Sequence, residues 1–116
     1  MIAVHQERIR RGEEWARQLR QRLDQLLKHE HPAVRSEVAW AVQDAARPKN
    51  ALEMLISTGT QDAATGVRYW ALRALQESSR ISLHEKLRIV HSVLIDPDEA
   101  VRSLAERIEK ELASET

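Results

Sequence analysis

Apolar residues return every three or four positions along most of the chain, in blocks separated by short polar breaks. Leu19, Leu23, Leu26 and Leu27 make one block; Leu52, Leu55 and Ile56 another; Leu87, Val90, Val93 and Leu94 a third. Between and after them come Val34, Val38 and Ala41; Val67, Ala71, Ala74 and Leu75; and Val101, Ala105 and Ile108. Spacings of three and four bring one face of a helix to a core, whereas a half-buried strand needs strict alternation. The breaks "EHP", "ARPKN", "STGTQD", "ESSRIS" and "DPDE" carry the Pro, Gly, Ser and Asp that end helices. The pattern predicts six helices, near 2–28, 32–46, 50–57, 64–78, 82–95 and 97–114, with Gly12 kinking or dividing the first. Pro32 and Pro97 suit a first helical turn, where no N–H donor is required.

The blocks repeat. "HPAVRSEVAWAV", "ATGVRYWALRAL" and "DEAVRSLAERIE" align on the pairs Val34-Arg35, Val67-Arg68 and Val101-Arg102. Four residues after each Val stands Val38, Ala71 or Ala105, and seven after it Ala41, Ala74 or Ile108. Five residues before it stand Asp62 and Asp96 in the second and third copies, and His29 in the first. Fixed periods of this length mark arrays in which stacked helix pairs share a continuous core.

Paired helices with V-R-x-x-A-x-x-A-L at the start of the second helix, and an Asp five residues before the Val, resemble HEAT-like repeats, of the short variety also found in phycobilisome-lyase-type proteins. The resemblance covers about residues 19–114 and is best in the middle copy. It implies an all-α superhelix (solenoid) of about three helical hairpins, forming a single domain over 1–116 with units near 1–46, 50–78 and 82–114, whose second helices line a concave side. It also implies a structural ladder of Arg35, Asp62, Arg68, Asp96 and Arg102, in which the aspartates bond neighbouring backbone or Arg68 and Arg102 and tie successive repeats together. The first and last copies depart from the pattern. His29 takes the Asp position, and Glu106 and Glu109 stand where the middle copy has Leu72 and Leu75, as the polar outer faces of terminal repeats require.

Tyr69 and Trp70 are neighbours, and neighbours on a helix point about 100° apart, so a single buried stripe cannot take both. With each Val at zero, the apolar offsets 4, 7, 8 and 11 centre the buried direction near 30°, and the offset 2 of Tyr69 and the offset 6 of Trp40 then fall at about 200° and 240°. The expectation is that Trp70 packs in the core while Trp40 and Tyr69 face the concave side, together with Ser36, Gln43, Arg73, Gln76, Ser103 and Arg107. Aromatic residues on an open face mark contact surfaces. Such a strip of aromatic, amide and Arg side chains suits a protein or peptide partner with some acidic character, and makes the protein an interaction module, adaptor or scaffold. An alternative keeps Trp40 inside the molecule, under a long first helix that also carries Trp15.

Composition narrows the chemistry. The 116 residues contain no Cys, only three Gly and three Pro, and 42% hydrophobic residues, which fits one mostly helical domain in a reducing compartment, the cytoplasm by default. No apolar run could span a membrane, and "MIAVHQERIRRG" lacks the apolar stretch of a secretion signal. Formal charge is zero but graded: +3 over residues 1–28, +1 over 29–95 and −4 over 96–116. The complementary ends leave self-association into a homo-oligomer as one alternative. Nucleic acid is another, since helical-repeat glycosylases for alkylated purines resemble this architecture. The basic candidates Arg8, Arg10, Arg11, Arg17, Arg20 and Arg22, however, spread around their helix and form no stripe. His29, His31 and His84, in "HEH" and "LHEK", are similar to the His-Glu pairs of deoxyhypusine hydroxylase, but they sit in a loop and a first helix, where that family does not place its ligands. No zinc motif, nucleophile elbow or phosphate loop is present. The expectation is no catalytic residue, no metal, no cofactor and no enzyme.

Overall fold

The computed structural model describes residues 14, 17–18, 21–43, 47 and 49–115. The expected Gly12 kink, Trp15 and Leu19 lie outside the described residues, as do 44–46, but the second helix, expected to reach 46, ends at Ala41 with Val42 as its C-cap, because the Gln43 N–H turns to the Trp40 carbonyl and tightens the last turn. Six helical segments are described: α1 (21–27), α2 (Pro32–Ala41), α3 (Ala51–Gly59), α4 (Thr65–Glu77), α5 (Leu83–Val93) and α6 (Glu99–Ala113), with no strand among the described residues. The architecture is all-α.

Local chemistry sets the helix starts. Pro32 opens α2 at its first positions, its missing donor being one that an N-terminus leaves unsatisfied anyway. Ser82 caps α5 by accepting the Glu85 N–H at 3.2 Å, with an acid at the capping-box position. Asp98 caps α6 by accepting the Val101 N–H at 3.0 Å. Pro97 therefore precedes the cap and does not open the first turn, a correction to the sequence expectation. Its cause is that Asp98, a strong N-cap residue, takes the boundary position.

Helix α3 packs on α4, α5 packs on α6, and α2, α4 and α6 lie side by side, with α2 against α4 and α4 against α6. The second helices of the hairpins thus form one layer and the first helices another. One core cluster joins all six segments, from Leu23 and Leu27 of α1, through Val38, Leu55, Ile56, Val67, Ala71 and Leu75, to Val90, Val101, Ile108 and Leu112. Helix α4 is enclosed on three sides, and Val67, Ala71, Leu72, Ala74 and Leu75 are all buried. Helix α3 lies close against α4 at Gly59, where a Cβ would lie 3.0 Å from both the Ala71 Cβ and a Leu55 methyl. The helix runs through this glycine instead of stopping near residue 57, because the absent side chain lets the two helices touch.

Candidate interaction surface

The hairpins are joined by a repeated arrangement of polar groups. In each copy the residue five before the Val accepts the N–H of the residue two ahead, which is the helix N-cap: Asp62 Oδ1 from Ala64 at 2.7 Å, Asp96 Oδ1 from Asp98 at 2.9 Å, and His29 Nδ1 from His31 at 3.1 Å. The imidazole does locally what the carboxylates do. The Arg after each Val then reaches back six and five residues with Nη1: Arg35 to the carbonyls of His29 and Glu30, Arg68 to those of Asp62 and Ala63, and Arg102 to those of Asp96 and Pro97.

The other edge of the guanidinium makes the link between repeats. Arg35 Nε and Nη2 donate to Asp62 at 3.0 and 3.1 Å, and Arg68 Nε and Nη2 donate to Asp96 at 2.7 and 3.1 Å. Both are fork-on-fork pairs, the geometry that makes Arg–carboxylate contacts strong and directional. They are largely shielded: the side chains keep 14% and 10% of their exposure in the first pair and 13% and 6% in the second. Each aspartate thus pairs with the Arg of the preceding repeat. Of the expected alternatives Asp62 takes the backbone one, through the Ala64 N–H, while its Arg partner is Arg35, and Arg68 meets it only through its backbone carbonyl. The reason is geometric, because the Arg that shares a repeat with the Asp is already turned back onto the loop carbonyls. Burial pushes the Asp96 carboxyl up, but the Arg68 guanidinium, the Asp98 N–H and the charges of Arg68 and Arg102 outweigh it and hold the group below its ordinary range.

The layer of α2, α4 and α6 carries the residues expected on the contact strip, and they divide by helical position. Trp40 on α2 is 62% exposed, and no described segment covers it. Arg73 and Arg107 occupy the same position on α4 and α6 and are also exposed, and neither has a hydrogen-bond or ion-pair partner among the described residues. Ser103 is open as well.

Four of the expected strip residues are not free. Ser36 is half-buried in the seam between α2 and α4, where a Cβ on Gly66 would fall 2.8 Å from its Oγ. Tyr69, at the equivalent position of α4, is half-buried and packs on the core, as does Trp70, and the two rings meet edge to face with centroids 5.3 Å apart. The expected division of these neighbours into one inside and one outside is therefore corrected to two half-buried flanks, because α4 has a helix on each side and no single stripe describes its burial. Gln43 is half-buried, with an amide nitrogen that is enclosed and has no partner among the described residues. Gln76 donates to Glu111 at 3.2 Å, bridging α4 and α6. What remains open is Trp40, Arg73, Ser103 and Arg107, of which Trp40, Arg73 and Arg107 share one position, one per helix.

Glu106, also exposed, and Glu109, which lies 3.0 Å from the His91 imidazole, stand on α6 where α4 has buried Leu72 and Leu75. Alignment of the copies also reveals a buried position that the helical stripe omitted. Five residues after the Val, Ala39 and Leu72 are fully buried while Glu106 is exposed, so this position faces the next helix of the layer. A residue that is apolar in the inner copies and charged in the last is the signal that could have located it.

Among the described residues no group of His, Asp and Glu is arranged to hold a metal ion, and no helix is long and apolar enough to cross a membrane. No curated protein and no solved structure matches the chain. A family model for HEAT repeats matches residues 19–108, without singling out the phycobilisome-lyase variety. That span takes in every Val-Arg pair and both Arg–Asp links described above. With helical hairpins, a repeated ladder and a family match over most of its length, the chain belongs to the HEAT repeat family.

Proposed function

We propose that the protein is a small interaction module, an adaptor or scaffold without catalytic activity or cofactor, that binds a protein or peptide on the face of α2, α4 and α6. HEAT repeats are commonly protein-interaction modules. The observation that carries the reading here is Trp40: a large aromatic ring, 62% exposed, aligned with two guanidinium groups that have no partner among the described residues. Aromatic and Arg side chains dominate the energetics of contact surfaces, because both bring large contact area and little flexibility to lose. The ladder residues Arg35, Asp62, Arg68, Asp96 and Arg102 support that face and are not part of it. Lack of cysteine fits a reducing compartment, and the cytoplasm is the location we assign.

The test is site-directed photo-crosslinking in the native host. A benzophenone amino acid in place of Arg107 or Arg73 should capture a discrete heterologous protein, and the same probe in place of Arg88, on the opposite layer, should capture little. Capture from Arg88 alone would move the surface to the other layer. Crosslinks only between copies of the chain would replace the adaptor with a self-associating subunit.

A further inference from the structure

The line of Trp40, Arg73 and Arg107 has a spacing, and the spacing selects a ligand conformation. The three side chains stand at the same helical position, six residues after Val34, Val67 and Val101, on helices packed side by side in the order α2, α4, α6. Packed helices lie about 8–10 Å apart, so a ligand crossing the layer must offer one matching side chain at each such step. A β-strand repeats a face every two residues, about 6.8 Å, and again at about 13 Å, so it misses the step on both sides. An α-helix returns to a face after three or four residues, about 5–6 Å, and next after seven, at about 10.5 Å. Polyproline II returns every three residues, at about 9.3 Å, in the middle of the range.

Charge decides what those side chains are. Arg73 and Arg107 have no acid partner among the described residues, and the acids one turn ahead of them on α4 and α6 are engaged: Glu77 lies 3.8 Å from Arg47, and Glu111 accepts from Gln76. The Trp40 ring offers a flat apolar surface with no partner among the described residues. Resting on the proposed role of this face, we infer that the partner presents an acidic segment in polyproline II conformation, with a proline or other apolar residue on Trp40 and a carboxylate at the third and sixth residues from it, on Arg73 and Arg107. Proline-rich segments bind aromatic surfaces in this way because little conformational freedom is left to lose.

Fluorescence anisotropy with the full chain tests this with peptides of one composition. In the first, a proline is followed at the third and sixth positions by glutamate, in a proline-rich background. The second has the reversed order. Two more place the glutamates two or four residues apart. One of the first two should bind about tenfold more tightly than the permuted pair. Arg73→Gln and Arg107→Gln should each weaken it by about threefold to tenfold, and Trp40→Ala by more, with little change for the permuted peptides. Both Arg side chains are exposed, and unchanged circular dichroism would show that the fold is intact. Equal binding of all four peptides, absence of binding, or indifference to both Arg substitutions would overturn the inference. So would a single-stranded oligonucleotide that binds more tightly than every peptide with a steep salt dependence. If crosslinking still captures a partner from Arg107 while the peptides fail to discriminate, the acidic register is wrong and the interaction face stands. If crosslinking fails as well, the face itself is wrong.

Discussion

Leu75→Ala should lower the unfolding free energy by about 2–5 kcal/mol and the thermal midpoint by about 8 °C or more. Leu75 is fully buried on α4, the helix in contact with α2, α3 and α6. Truncation removes its methyl groups from a site bounded by separate helices. These cannot all collapse into the gap at once, so the transfer loss and the cavity add. The loss should appear in urea as a shifted midpoint at constant slope, because the surface exposed on unfolding hardly changes. An unshifted midpoint would mean that α4 does not bury this face.

Asp96→Ala should cost about 3 kcal/mol while leaving the helical content of the native protein unchanged. Removing one member of a shielded pair leaves the other charge without compensation. Arg68 would keep its bonds to the carbonyls of Asp62 and Ala63 but lose both bonds to the carboxylate, and the Asp98 N–H would lose its acceptor. Stability should also depend on pH in a defined sense. The folded carboxyl of Asp96 is held below its unfolded value of about 3.9. Its contribution is therefore fully present above about pH 4 and is lost as pH falls through the lower, folded value. Urea midpoints of wild type and Asp96→Asn should lie furthest apart near neutral pH and converge on acidification. A gap that stays constant down to pH 2 would show that the carboxylate charge contributes nothing there.

Much of this fold is legible in the residues, because the core follows the period. Val67, Ala71, Ala74 and Leu75, and likewise Val101, Ala105 and Ile108, recur at helical spacing, and all are buried. The Val-Arg pairs and the preceding Asp disclose the repeat and the family. What period alone does not carry is the neighbour on either side. A single stripe describes a helix packed on one partner, but α4 has α2 on one side and α6 on the other. Tyr69 and Ser36 therefore turn out half-buried where an isolated helix would expose them, and Leu72 is buried off the stripe. Trp40 has no such neighbour among the described residues, and the angle read from sequence and its exposure agree. A tie between repeats is expected from the ladder, but which Arg meets Asp62 is not, because sequence spacing gives no distance between Asp62 and either Arg35 or Arg68. Only the backward reach of each Arg onto its own loop decides between them.

Trp40 marks the proposed contact face, and one variant measured twice tests that role most directly. For Trp40→Ala, the thermal midpoint and the affinity for the crosslinked partner should be determined on the same preparation. A ring that is 62% exposed contributes little to the core, so the midpoint should stay within a degree or two, while the complex should lose about 2 kcal/mol or more, as central aromatic contacts do. A midpoint lowered by many degrees, with affinity retained in the fraction that remains folded, would contradict the account and make Trp40 a part of the core.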